Sequence, residues 1–128
     1  QQYAEYLRAV RHASAMADYN IGDFSEATPA GMLRHQECLR IADPEKLEIA
    51  RQKLVGLGEK FDYLVNLQVG LDELHAGNSY NLGFSFLVKD EETLYKFNAD
   101  PVRQAVAQYL RSVSQESAMV DYIVENKA

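Results

Sequence analysis

The sequence has 128 residues, of which 47% are apolar and 25% are charged, and this composition excludes a disordered or fibrous protein. A chain of this length can bury one hydrophobic core without disulfide bonds or bound metal, and the single cysteine, Cys38, cannot form an intramolecular disulfide. The net charge of -6 opposes the phosphate neutralisation on which nucleic-acid binding depends. No stretch reaches the roughly 18 apolar residues of a membrane span, and the N-terminus lacks the pattern of a signal peptide. We therefore expect a cytoplasmic protein that binds neither nucleic acid nor membranes.

The first thirty-one residues differ from the rest of the chain. Residues 1–18 have the spacing of a short amphipathic helix, and residues 19–31 are rich in helix breakers such as Gly22 and Pro29. We divide the chain into an N-terminal helix and linker, residues 1–31, and a compact domain, residues 32–128.

The compact domain begins with a strand and a helix. Alternation predicts a strand from Met32 to Ile41, and Asp43 followed by Pro44 is typical of a helix start. The apolar spacing then predicts a helix, which we expect Gly56 and Gly58 to end.

Two strands follow. The second strand has the clearest alternation in the sequence, and we expect Gly70 to end it. The residues on one of its faces are Phe61, Tyr63, Val65, Leu67 and Val69. A loop over residues 71–79 leads to a third strand, whose alternation separates Tyr80, Phe84 and Phe86 from Ser85.

The C-terminal part predicts two helices and a strand. Asp90 is placed to cap a short helix, and Asp100-Pro101 to start a longer one with a buried stripe. That stripe is expected at Val102, Ala105, Val106, Tyr109 and Leu110. A last strand is expected over residues 117–125, which completes a ferredoxin-like βαββαβ order of the α+β class.

Helices can cover only one face of such a sheet. Each strand nevertheless offers apolar residues to both faces, as Leu64 against Val65 and Met119 against Val120 indicate. An uncovered face of this kind favours an interface, and a symmetric homodimer is the simplest solution.

Five short motifs resemble the stress-responsive A/B barrel (Dabb) family over about residues 32–126. They are Met32-Leu33-Arg34-His35, Val69-Gly70-Leu71-Asp72, Tyr80-Asn81-Leu82, Asp100-Pro101 and Val120-Asp121-Tyr122. The resemblance implies a homodimeric α/β barrel with a pocket for a small organic ligand. Some members are cofactor-free enzymes that cyclise a linear polyketide by aldol condensation, with a Tyr followed by a His-Pro-x-His motif.

The sequence departs from the cyclising members at that motif. Phe97 stands in place of the Tyr, Asp100 of the first His and Arg103 of the second. Arginine stays protonated near neutral pH and phenylalanine has no hydroxyl, so the known cyclase route is not expected. Arg103 could instead hold a carboxylate, an enolate or a phosphate.

His35, Glu37 and Arg103 are the candidate catalytic residues. His35 and Glu37 are two apart on the first strand and so share a face, where the family has its cavity. In one interpretation His35 or Glu37 removes a proton and Arg103 stabilises the oxyanion. In the other, Glu37 and Arg103 form an ion pair and His35 is a hydrogen-bonded strand residue. We expect the ligand pocket to be completed by Phe97, Leu33, Leu39, Tyr80 and Asn66.

Other polar residues give weaker indications. Asn66, Gln68, Ser85 and Gln36 could share a sheet face, where an interface is favoured over a ligand site. The loop with Asp72, Glu73 and His75 lacks the spacing of a metal site, so we expect no metal and no cofactor. Cys38 alternates away from His35 and is expected to pack under the helices.

Three functions remain open from the sequence. The first is a small-molecule-binding domain, and possible lyase or cyclase, acting without a cofactor on a carbonyl or enolisable compound. The second is a non-catalytic dimeric module for interaction or stress response. The third is a cofactor-free monooxygenase or isomerase.

Overall fold

The computed structural model describes residues 30–73, 75 and 80–125. The described residues form four strands and three helices, named here in chain order. They are β1 (Leu33–Arg40), α1 (Pro44–Lys60), β2 (Val65–Leu71), β3 (Leu82–Val88), α2 (Glu91–Ala99), α3 (Pro101–Val113) and β4 (Glu116–Ile123). The N-terminal helix and linker expected over residues 1–31 lie almost entirely outside the described residues.

The strands form one antiparallel sheet in the order β2-β3-β1-β4. β1 is therefore central, with Phe86 of β3 on one side of His35 and Asp121 of β4 on the other. This arrangement confirms the ferredoxin-like α+β fold. It also places every second residue of β1 against the helices.

The core lies between one face of the sheet and the helices. Ala50, Leu54 and Leu57 recur at helical spacing on α1 and are all buried, as is Leu110 of α3. The sheet contributes the remaining apolar wall with Leu33, Leu39, Leu82, Phe84, Phe86 and Val88. No described helix covers the opposite face of the sheet.

An aspartate caps the N-terminus of each described helix, as the sequence predicts. The Asp43 carboxylate accepts from the Glu45 N–H at 2.9 Å, and Asp90 accepts from the Thr93 N–H at 2.8 Å. Asp100 accepts from the Val102 N–H at 2.8 Å, which starts α3 directly after α2. These bonds satisfy donors that have no partner within the first helical turn.

The expected end of α1 at Gly56 and Gly58 is wrong, because the helix continues to Lys60. Leu57 is buried in the core, and its carbonyl accepts from the Phe61 N–H at 3.0 Å, so packing holds the last turn. Gly58 also has a packing role, since a Cβ at this position would lie 3.0 Å from Leu67 Cδ2.

The second strand also differs from the prediction. It begins at Val65 rather than Phe61 and includes Gly70. The register shifts between Val65 and Gln68, and Asn66 has a φ of 52°, which is typical of a bulge. Val65 therefore pairs with Leu87 on the face of the sheet opposite the described helices, and does not share a face with Val69.

The structure also corrects two predicted side-chain orientations, those of the buried stripe of α3 and of Cys38. On α3 the buried side chains include Arg103, whereas Val102 and Ala105 are exposed, so the stripe is rotated from its expected position. Cys38 alternates away from His35 as expected, but His35 faces the helices, so Cys38 lies on the opposite face.

The helices of the described part are all too short or too polar to cross a bilayer.

Candidate functional site

The candidate site is centred on His35 in the middle of β1. The register places Asp121 of β4 directly beside it, and His35 Nδ1 lies 2.6 Å from Asp121 Oδ1. The ring stacks on Phe86 with a centroid distance of 5.0 Å and is only 3% exposed. Strand pairing and aromatic packing thus fix the orientation of the imidazole.

Glu37 connects this histidine to α3. His35 Nε2 lies 2.8 Å from Glu37 Oε1, and the same oxygen lies 3.5 Å from Arg103 Nη2. The four side chains therefore form a continuous polar cluster in the order Asp121, His35, Glu37, Arg103. We call it the charged cluster.

The hydrogen bonds of His35 determine the charge of its neighbourhood. A carboxylate only accepts hydrogen bonds, so the two contacts of the imidazole require two protons shared among Asp121, His35 and Glu37. Whether the histidine carries both protons or a carboxyl carries one, the three groups together have one net negative charge. Arg103 balances that charge, so the charged cluster is neutral as a whole.

Arg103 is buried although it belongs to a helix, and its residue is only 7% exposed. Its guanidinium lies over the ring of Phe97 with a distance of 5.0 Å to the centroid, and 5.8 Å from the centroid of Phe84. Burial lowers the pKa of Arg103 from its usual value, and the charge of Glu37 opposes this shift. Nη1 is buried and has no hydrogen-bond partner among the described residues.

Two adjoining cavities lie between α3 and the β1–β4 side of the sheet. One, of about 270 Å³, is lined by the charged residues Glu37, Arg103 and Arg111 and by apolar residues that include Leu39, Leu110 and Met119. The other, of about 510 Å³, is more polar and includes His35 and Asp121 in its wall. We call them the inner cavity and the outer cavity.

The inner cavity combines an apolar wall with a charged end. This arrangement can hold an apolar molecule and direct one polar group of that molecule to Glu37 and Arg103. A carboxylate beside a guanidinium can accept a proton while the guanidinium stabilises negative charge on oxygen.

The structure brings the three candidate catalytic residues together and distributes the expected pocket residues more widely. Leu39 lies in the wall of the inner cavity, and Phe97 lies beneath Arg103. Leu33 is buried in the core. Tyr80 donates to Glu116 at 3.1 Å at the end of the sheet, and Asn66 is exposed in the β2 bulge. Neither Tyr80 nor Asn66 lines either cavity.

Sequence reasoning missed Asp121, Met119 and Arg111 as residues of the site. Asp121 and Met119 are on the edge strand β4, and their alignment with His35 and Glu37 depends on a register that alternation cannot give. Arg111 lies two turns beyond Arg103 on α3, so helical spacing from Arg103 could have identified it.

The second polar set lies on the face of the sheet opposite the described helices. Gln36 pairs with Ser85, which in turn pairs with Gln68, and Ser85 Oγ lies 3.5 Å from Gln68 Oε1. Arg34 donates to Ser85 Oγ at 3.2 Å. This set is therefore separate from the charged cluster, on the other side of the sheet.

The loop after β2 contains a local hydrogen bond. Asp72 is buried, and its carboxylate accepts from the His75 N–H at 2.7 Å. The described residues contain no group of three or more His, Cys, Asp or Glu side chains that could hold a metal ion.

Comparison with solved structures gives the same fold. Hydroxynitrile lyase from Passiflora edulis is 12% identical with a TM-score of 0.69, and the alignment covers 78% of this chain and 99% of that one. A dimeric ferredoxin-like protein of unknown function from Thermobifida fusca is 19% identical with a TM-score of 0.66, covering 84% and 99% of the two chains. SnoaB, a cofactor-independent oxygenase from Streptomyces nogalater solved as a mutant, is 15% identical with a TM-score of 0.63, covering 77% and 97%.

A search of curated proteins finds no significant match to the sequence. The family comparison is positive, because the Stress responsive A/B Barrel Domain profile matches residues 33–124, from the first residue of β1 to one residue beyond β4. The chain therefore belongs to the Dabb family.

Proposed function

We propose that this protein is a homodimer that binds a small carbonyl compound in the inner cavity and removes a proton from it without a cofactor. The observation that carries the proposal is the juxtaposition of Glu37 and Arg103 at the end of an otherwise mainly apolar cavity. Cofactor-free lyase or cyclase chemistry would follow from the enolate formed by this step.

The proton transfer uses groups of the charged cluster. The Glu37 carboxylate takes a proton from the carbon next to the carbonyl, and the C–H electron pair becomes the carbon–carbon π bond of the enolate. The carbonyl π electrons move to oxygen, where the positive charge of Arg103 stabilises them. Asp121 keeps the imidazole oriented and stabilises positive charge on it during the transfer.

Arg103 is suited to an oxyanion by its charge. Its side chain lines the inner cavity, where the guanidinium can donate a hydrogen bond to the oxygen of a bound ligand. The gain is larger for an enolate oxygen than for a neutral carbonyl, because a charged acceptor makes a stronger bond. Two of the neighbouring folds are named as enzymes, a lyase and an oxygenase, and this supports a catalytic use of the architecture.

The proposed dimer uses the face of the sheet opposite the described helices. Val120, Tyr122 and Val65 lie on this face by register and are 51%, 42% and 40% exposed. Exposed apolar side chains beside a polar set are typical of an interface. Neighbours described as dimeric ferredoxin-like proteins support the same arrangement.

A non-catalytic module is the second candidate function. Its support is the neutrality of the charged cluster, in which alternating charges neutralise one another without a ligand. In that case the cluster only stabilises the contact between β1, β4 and α3.

Deuterium exchange distinguishes the two functions. Methyl pentyl ketone is incubated with the protein in heavy water, and deuterium incorporation next to the carbonyl is followed by NMR. We expect faster exchange than in buffer, with a loss of at least about a hundredfold in Glu37→Gln and in Arg103→Lys. The controls are Glu59→Gln and Arg51→Lys, which change the same groups outside the cavities. Exchange at the buffer rate with the wild-type protein would leave the non-catalytic module as the function.

The dimer is tested by analytical ultracentrifugation. We expect the wild-type protein to sediment as a dimer and Val120→Glu as a monomer. Ile49→Glu, which alters an exposed aliphatic residue of α1, should leave the dimer intact. A wild-type monomer, or dissociation by both substitutions alike, would refute this interface.

A further inference from the structure

Three residues of α3 form a stripe along both cavities. Arg103, Ala107 and Arg111 are spaced by four residues, so their side chains lie on one face of the helix, and each lines the inner and the outer cavity. Arg103 is at the buried end of this stripe, and Arg111 is at its exposed end.

Arg111 leaves the cavity wall with an excess of positive charge. The charged cluster is neutral for either position of its protons, and it includes the charges of Asp121, His35, Glu37 and Arg103. Arg111 adds one positive charge, and it makes no ion pair with another residue of the described part. This local excess contrasts with the net charge of -6 for the whole chain.

The pKa of Arg103 also reflects the positive charge of Arg111. Burial has the largest effect and lowers its pKa, Glu37 and Asp121 oppose the shift, and Arg111 adds to the lowering. Both guanidinium groups belong to residues that line the same cavities, so an anion bound there would reduce the repulsion between the two positive charges.

The remaining walls restrict the chemistry of the anion. Besides Glu37 and the two arginines, the inner cavity has Ser114 and Ser117 as its polar lining residues. Its other lining side chains are apolar: Leu39, Ala107, Leu110, Ala118 and Met119. A small inorganic anion would leave this apolar surface without a partner, whereas an organic chain would cover it.

We propose that the ligand is an oxo acid, whose carbonyl lies at Arg103 and whose single carboxylate is bound by Arg111. This inference rests on the proposed function, to which it adds the substrate class: a carbonyl compound with an apolar chain that ends in one carboxylate. Arg111 is the specificity-determining residue, and it takes no part in the proton transfer.

The test compares ligands that differ only at one end. Two probes are compared. The first is an oxo acid, derived from methyl pentyl ketone by replacing the methyl group at the end of the pentyl chain with a carboxylate. The second is the primary amide of that acid. Dissociation constants are measured by calorimetry at fixed ionic strength for the wild-type protein, Arg111→Gln and Lys46→Gln. Lys46 is exposed on α1 and lines neither cavity, so its substitution controls for net charge.

We expect the wild-type protein to bind the acid at least about tenfold more tightly than the amide. Arg111→Gln should bind the two equally, and Lys46→Gln should keep the wild-type preference. Equal binding or no binding of the two probes by the wild-type protein, a preserved preference in Arg111→Gln, or an equal loss in Lys46→Gln would each overturn the inference.

The deuterium exchange of the neutral ketone separates this inference from the proposed function. Methyl pentyl ketone has no carboxylate, so its exchange by the wild-type protein reports the proton transfer and not the recognition of a carboxylate. Catalysed exchange of the ketone without a preference for the acid would refute only the oxo acid. Absence of catalysed exchange would refute the proton transfer, whatever the binding constants.

Discussion

His35 and Asp121 lie directly opposite each other on neighbouring strands, and His35 Nδ1 is 2.6 Å from Asp121 Oδ1. The imidazole is buried, whereas the aspartate side chain is 37% exposed at the wall of the outer cavity. This pair therefore joins the centre of the sheet to an open surface, and its geometry depends on the register of an edge strand.

The Asp121→Asn substitution should lower the free energy of unfolding by about 1 kcal/mol, because an amide replaces the charged acceptor of a hydrogen bond. The partial exposure of Asp121 limits the loss. Urea unfolding measures the change, with the exposed turn residue Asp62→Asn as the matched control. Equal stability of Asp121→Asn and the wild-type protein would show that the contact with His35 contributes nothing to folding.

Glu37 and Arg103 should be energetically coupled. Glu37→Gln leaves the buried guanidinium without its charged partner, and we expect a loss of about 3 kcal/mol. When Arg103→Met is added, the second substitution should cost less than it does alone, since no unpaired charge remains. A double-mutant cycle in urea measures this coupling, and strictly additive effects would contradict the ion pair.

The two glycines of α1 should respond differently to alanine. Gly56→Ala should raise the free energy of unfolding by about 1 kcal/mol, because a Cβ there meets nothing within 4 Å and alanine favours the helix. Gly58→Ala should gain less or lose stability, since its Cβ would lie 3.0 Å from Leu67 Cδ2. Equal gains in urea unfolding would disprove the close approach of α1 to β2.

The Cys38 thiol should react slowly at neutral pH. Burial raises its pKa, and the charge of Glu37 raises it further, so the reactive thiolate forms at higher pH in the folded protein than in the unfolded chain. The rate of alkylation by iodoacetamide, measured from pH 6 to 10, should therefore rise later for the folded protein than for the chain in urea. A folded-state profile shifted to lower pH would contradict the assigned environment.

Several features of the fold could be predicted from the sequence because local chemistry determines them. The aspartates before α1, α2 and α3 cap those helices, and the alternation of β3 gives its two faces correctly. Other features depend on tertiary packing. Because Leu57 is buried, α1 continues beyond Gly56 and Gly58. The bulge at Asn66 places the side chain of Val65 on the opposite face of the sheet from the predicted one.

The candidate site shows the same division. The shared face of His35 and Glu37 follows from strand geometry, and the resemblance placed Arg103 near them. Asp121 required the pairing of β1 with β4, which a single sequence does not encode locally. Apolar spacing alone leaves Arg103 outside the predicted stripe of α3, because the burial of this charged side chain depends on its contact with Glu37 of β1.

The central claim is that a carbonyl ligand binds between α3 and the sheet, and the most direct measurement is methyl NMR with labelled methionines. Met119 lines both cavities, whereas Met32 precedes β1 and lines neither. On titration with methyl pentyl ketone, the account predicts a saturable shift of the Met119 methyl signal with no shift of Met32. An unchanged Met119 signal at saturating ketone, or equal shifts of both methionines, would contradict it.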